Sequence, residues 1–190
     1  MFALLALVAA LPASPVVAAP APCVTMNAAR MPLEKRASKL DSLTFAVGKT
    51  EVKVCYSAPM LKGRKMIGGE SVPYGKLWRT GSNEPTMIHT TGMIMVGTVM
   101  VPAGSYSVYT VPGEQNWEVI INKSITQWGH ESSYTDAVKA MEVGRTTVKA
   151  ESNSAPVERM TFSTVAKGNN TSALVLSWDS AKITIPVMAH

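Results

Sequence analysis

SYSVYTVPGEQNWEVIIN, residues 105–122, reads as two strands joined by a turn at Pro112-Gly113. In the second half Trp117, Val119 and Ile121 alternate with Glu118 and Asn122. That is the period of two that puts one side of a strand in a core and the other toward solvent. The same signal recurs along the chain. Residues 43–47 and 51–56 flank the glycine-containing connection Gly48-Lys49-Thr50, and 86–91, 93–96 and 98–101 are separated by Gly92 and Gly97. Further runs cover 145–150, 157–166, 172–178 and 182–187, where Leu174, Leu176 and Trp178 share one face, as do Ile183, Ile185 and Val187. Short strands with turn signals every eight to twelve residues or so predict a mainly β chain, a single-domain antiparallel β-sandwich, jelly-roll-like or barrel-like. One short helix is expected over 134–143, with Asp136 near its positive end.

The ends and the composition bound the compartment. Residues 1–19 carry no charge, residues 3–11 are an apolar run of secretory length, and Val17-Ala18-Ala19 supplies small residues for cleavage after Ala19. The run is too short to span a bilayer and is interrupted by Pro12 and Pro15. We therefore expect a signal peptide at 1–19, a flexible N-terminal tail at 20–40 and the β domain at 41–190. The product is exported, periplasmic or secreted, with no membrane span after signal removal. The formal net charge of +5 is spread out, and only Lys62-Gly63-Arg64-Lys65 clusters. So short a basic run reads as a solvated loop and argues against a nucleic-acid partner. Two cysteines in an exported chain predict a disulfide between Cys23 and Cys55. Val52, Val54 and Tyr56 form the core face of their strand, so Cys55 faces the other way, toward the tail. The enclosed loop of about 32 residues would stabilise by roughly 3–4 kcal/mol. With no CxxC, the pair is a staple rather than a redox centre.

The residues that carry chemistry concentrate at 72–86, VPYGKLWRTGSNEPT. Two prolines and two glycines at that density forbid a regular helix or strand, leaving a shaped loop. Tyr74, Trp78, Arg79, Thr80, Asn83 and Glu84 are the ligand-binding candidates: a guanidinium fork suits carboxylate or phosphate, and Asn and Glu orient hydroxyls. The competing role is internal, with Arg79 paired to Glu84 and locking the loop. Of the histidines His89, His130 and His190, His130 joins the ligand-binding candidates and is the one placed to work with Glu84 or Asp136 as an acid–base pair in a hydrolase-type alternative. No GxSxG elbow accompanies it. Met87, His89, Thr91, Met93 and Met95 share one parity, which makes Met87 and His89 weak candidates for periplasmic copper. Gly92 interrupts that run, and methionines at alternate positions usually fill a core. No zinc signature and no cofactor motif is present. Trp117, Trp128 and Trp178 read as packing residues.

Taken in order, YSAP at 56–59, KGRK at 62–65, VPYGKLWRTGSNEPT at 72–86, PAGSYSVYTVPG at 102–113, WEVIIN at 117–122, QWG at 127–129 and LSWD at 176–179 resemble the bacterial family known as domain of unknown function 2911. The resemblance runs over about 42–187 and implies a fold and an exported compartment, with no assigned activity. It also implies an arginine where this chain has Ala58, and an alanine where it has Ser82. The expectation is an envelope binding or structural module for a small polar ligand or an envelope component, rather than an enzyme.

Overall fold

The computed structural model describes residues 22–26 and 29–190. The expected signal segment at 1–19 lies outside them. The described chain is mainly β and its strands pair antiparallel, as the alternation predicts. The strands are β1 (Lys39–Val47), β2 (Thr50–Ala58), β3 (Ser82–Thr90), β4 (Ile94–Val96), β5 (Val99–Val101), β6 (Gly104–Val111), β7 (Asn116–Asn122), β8 (Glu142–Gly168) and β9 (Thr171–Ala189). They form one continuous sheet in the order β1-β2-β3-β6-β7-β8-β9-β4-β5.

The continuity comes from two long strands. Four separate runs were expected between 145 and 187, but 145–150 merges with 157–166 into β8, and 172–178 merges with 182–187 into β9. The first part of β8 pairs with β7 and the remainder with β9, so β8 hands the sheet from one side to the other. Register shifts between Ser152 and Val157 and between Val157 and Thr161 bend the pair. Asp179, at φ +57°, supplies the matching irregularity in β9. A bulge inserts one residue and inverts the alternation beyond it. That is why even-numbered Leu174, Leu176 and Trp178 and odd-numbered Ile183, Ile185 and Val187 all reach the same core.

The sheet curls toward closure. Beyond β2, Leu61 N–H donates to Glu158 O and Met160 N–H to Pro59 O, both at 2.9 Å, tying that segment to the middle of β8. At the opposite end Gly48 N–H donates to Asn169 O at 2.7 Å. Gly48 sits at φ +60° in the two-residue turn, where a Cβ would press on Asn170 Oδ1 at 2.8 Å. Glycine is the residue that meets both demands. Inside, Val54, Ile88, Val119 and Ile121 meet Met160, Leu174 and Ile185. Trp78 stacks on Trp178 at 5.6 Å and meets Trp117 edge-on at 6.2 Å, so Trp117 and Trp178 pack as expected, whereas Trp128 is half-buried and outside the core cluster.

The outer face of β2-β3-β6-β7 is also covered. Cys55, Met87, Tyr109 and Ile120 point away from the core and are nonetheless buried. The 123–141 connection lies over them: Gln127 Nε2 donates to the Tyr109 hydroxyl at 2.9 Å, and Asn122 Nδ2 to Val138 O at 2.7 Å. Tyr134 meets the Tyr109 ring edge-on at 4.6 Å. A strand buried on both sides explains the unbroken Val119-Ile120-Ile121 run. Helix α1 (Asp136–Lys139) is shorter than the expected 134–143, because Glu142 and Val143 already belong to β8. Thr135 caps it by accepting from Val138 N–H.

Cys23 and Cys55 are joined, with Cα atoms 5.7 Å apart. The described part of the 20–40 stretch is held there and again at Arg36, and β1 begins at Lys39. No helix among the described residues is long and apolar enough to cross a membrane. Reducing the disulfide should lower the free energy of unfolding by about 3–4 kcal/mol, read as a drop in the urea midpoint with and without reductant.

Candidate functional site

The expected loop over 72–86 ends earlier than predicted, because Ser82–Thr86 already belongs to β3 despite Pro85; what precedes it is shaped by its own backbone bonds. Trp78 and Thr110 exchange both N–H···O bonds, at 2.8 and 2.9 Å, and the Trp78 indole N–H donates to Gly81 O at 3.1 Å. Thr80 and Asn83 adopt left-handed φ values of +57° and +59°. A β-branched residue pays a steric cost there, so neighbours must hold it. Thr80 Oγ1 donates to Thr110 Oγ1 at 3.1 Å, and Thr86 Oγ1 donates to Thr80 O at 2.6 Å.

Glu84 does not pair with Arg79. It pairs with Arg36, whose Nη1 donates to Glu84 Oε2 at 2.7 Å and Oε1 at 2.8 Å. The two side chains are 0% and 5% exposed. Met26 N–H donates to Glu84 Oε1 at 2.6 Å, while Arg36 Nη2 and Nε donate to Met26 O and Met31 O at 2.6 and 3.1 Å. Asn83 Nδ2 donates to Ser38 O at 3.1 Å. Both residues therefore clamp the N-terminal segment onto the loop. Arg79 turns the other way: its Nη1 donates to Gly129 O at 3.1 Å and lies 3.8 Å from Glu131 Oε1. At Gly129 any Cβ would collide with Asn83 O and Arg79 Cδ, so the 128–131 segment can approach only as glycine.

A cleft of about 230 Å³ opens beside this arrangement. Ser38, Met60, Lys62, Arg64, Arg79 and the Trp78–Trp178 stack are among its walls. It shares Ser71, Val72, Trp78 and Glu131 with an adjoining hollow of about 290 Å³ that adds Glu70 and Lys76. Cations outnumber acids here: Lys62, Arg64, Arg79 and Lys76 against Glu131 and Glu70. Arg64 is held by donating from Nε to Leu61 O at 3.0 Å and from Nη2 to Met60 O at 3.2 Å. Its loop is anchored in turn by Asp179, whose Oδ2 accepts from Met66 N–H at 2.8 Å. Arg79 Nε and the Trp178 indole N–H are buried without a hydrogen-bond partner among the described residues.

Of the sequence candidates, Trp78 and Arg79 meet at this cleft, and Thr80, Asn83 and Glu84 support it from behind. Tyr74 stands elsewhere, against Gly68 and over a concavity of about 90 Å³ lined by Trp117 and Glu151. His130 is 65% exposed, with Nδ1 2.7 Å from Ser132 Oγ. Among the described residues no hydrogen bond links it to Glu84 or Asp136. Its neighbour Glu131, rather than His130, borders the cleft. Met87 and His89 are buried on β3; His89 Nδ1 meets Ser105 Oγ at 2.7 Å and its Nε2 has no partner among the described residues. Among the described residues no three His, Cys, Asp or Glu side chains gather as a metal set. Ala58 is buried in the apolar core beside cleft-lining Pro59. Sequence reasoning missed Arg36, Ser38, Arg64, Glu131 and Trp178. The KGRK cluster was a signal for Arg64, and the inverted alternation after Trp178 for its neighbour Asp179.

A family model described as protein of unknown function (DUF2911) matches residues 38–187. No curated protein and no solved structure matches the chain.

Two outcomes test this geometry. Glu84→Ala leaves Arg36 buried without its counter-charge and should lower unfolding free energy by about 3–5 kcal/mol. Arg79→Ala, whose guanidinium is partly solvated, should cost about 1 kcal/mol or less in the same urea titration. Burial, and then the neighbouring Lys53 ammonium, hold the His89 pKa below the ordinary histidine value. The unfolded chain therefore takes up a proton more readily than the folded one. Stability should be full above about pH 6.5 and decline as pH falls below it. His89→Gln should flatten that decline in a pH series of denaturation curves.

Proposed function

The chain belongs to the family described as protein of unknown function (DUF2911), and on that premise we propose that it is an extracytoplasmic binding module whose cleft takes a small anionic ligand. The observation that carries this reading is Arg79. Its guanidinium is held at the cleft by donating from Nη1 to Gly129 O and stays partly exposed, in the same wall as Arg64 and Lys62. A carboxylate or phosphate accepts two parallel N–H bonds from such a fork. Exposed Met60, with the largely buried Trp78–Trp178 stack, gives the site an apolar wall suited to the carbon part of a sugar acid or sugar phosphate. The Cys23–Cys55 disulfide fits an oxidising compartment. Among the described residues no hydrogen-bonded nucleophile and base accompany the cations at the cleft, so binding is the economical reading.

The test is a thermal-shift screen with inorganic phosphate, citrate, sugar acids, sugar phosphates and neutral sugars. We expect at least one anion to raise the melting temperature in a concentration-dependent way. The shift should weaken with added salt. It should vanish in Arg79→Ala and Arg64→Ala, and survive in Arg145→Ala, which lies among Glu118 and Glu142 on the outer face. A shift that persists in the Arg64→Ala, Arg79→Ala double variant, or no shift from any anion, contradicts the proposal.

A further inference from the structure

Gly97 turns β4 back onto β5, and β4 pairs on its other side with β9. In this register Met95 stands opposite Met100 on one side and opposite Met188 on the other. Ile94, Val96, Val99, Val101 and Val187 point into the core and are buried. Alternation therefore turns Met95, Met100 and Met188 to the outward face together. The Ile94–Ala189 pairing continues to Met93 and His190, where His190 N–H donates to Met93 O at 3.3 Å. Four thioethers and one imidazole thus share one face of three adjacent strands.

This face is not the core packing that methionine usually serves. Met93 and Met100 are 44% and 39% exposed, and Met95 and Met188 are half-buried. A solvated face of an antiparallel sheet ordinarily carries polar residues. Directly opposed side chains have Cβ atoms about 4.5–5.5 Å apart. The unbranched, three-torsion methionine side chain then lets sulfurs from three strands converge on one point.

We propose that Met95, Met100 and Met188 bind one Cu(I) ion through their thioethers, with Met93 or His190 as the remaining ligand. Soft neutral sulfur donors select a soft monovalent cation and reject hard divalent ones. Both cysteines are consumed in the disulfide, so no thiolate competes for the ion. The site is separate from the cationic cleft, and the two proposals fail independently.

The full-length, disulfide-bonded protein is titrated anaerobically with Cu(I) against bicinchoninate. We expect one equivalent to be withdrawn from the chelator, with Ag(I) displacing it and Zn(II) leaving it in place. Met95→Leu combined with Met100→Leu keeps the outward shape and should weaken binding at least tenfold without moving the melting temperature. Met31→Leu, on the N-terminal segment, should bind as the parent does. Failure to withdraw copper, or unchanged affinity in the Met95/Met100 double variant, overturns the assignment.

Discussion

The buried pair between Arg36 and Glu84 is the constraint on which the functional end of the molecule depends. It joins residues 48 apart in sequence, and both partners are bonded further: Met26 N–H donates to the Glu84 carboxylate, and the Arg36 guanidinium donates to the Met26 and Met31 carbonyls. A buried ion pair of this kind contributes little net stability against an apolar replacement, yet it excludes alternatives, because either charge left alone is costly. Its consequence is positional. The N-terminal segment is laid against the 72–86 loop, so that Ala37 and Ser38 become one wall of the cleft.

That pairing also releases Arg79. With Glu84 committed to Arg36, the carboxylate paired with Arg79 among the described residues is the half-exposed Glu131 at 3.8 Å. The guanidinium keeps donors for something else. The left-handed Thr80 belongs to the same arrangement: it reverses the chain between Arg79 and Glu84, sending one toward the 128–131 segment and the other toward the N-terminal segment. Strain of this kind persists only where surrounding bonds over-determine it, and Thr80 has three such bonds, through its hydroxyl and its carbonyl.

Much of the fold was legible because it rests on local alternation. Trp117, Val119 and Ile121 announce their shared face, and the parity of Cys55 against Val54 and Tyr56 points it toward Cys23. Less visible was the joining of four expected strands into β8 and β9, since a bulge at Asp179 looks in sequence like a break. The inverted parity after Trp178 was the available clue. Glu84 was readable as a charged group in a shaped loop, but its partner was not. Arg36 lies in a stretch with no period, and nothing local says that its side chain is buried. The cleft is assembled from five separate segments, which no single motif can encode.

The most direct test of this account is hydrogen–deuterium exchange in the parent protein and in Glu84→Gln, which keeps the size of the side chain and removes its charge. The account predicts that the amides of Trp78 and Thr86 are protected in the parent and exchange markedly faster in the variant, with the β9 core amides around Ile185 unchanged. Equal protection of the 78–86 amides in both proteins would contradict it, because the loop would then hold its shape without the Arg36 clamp.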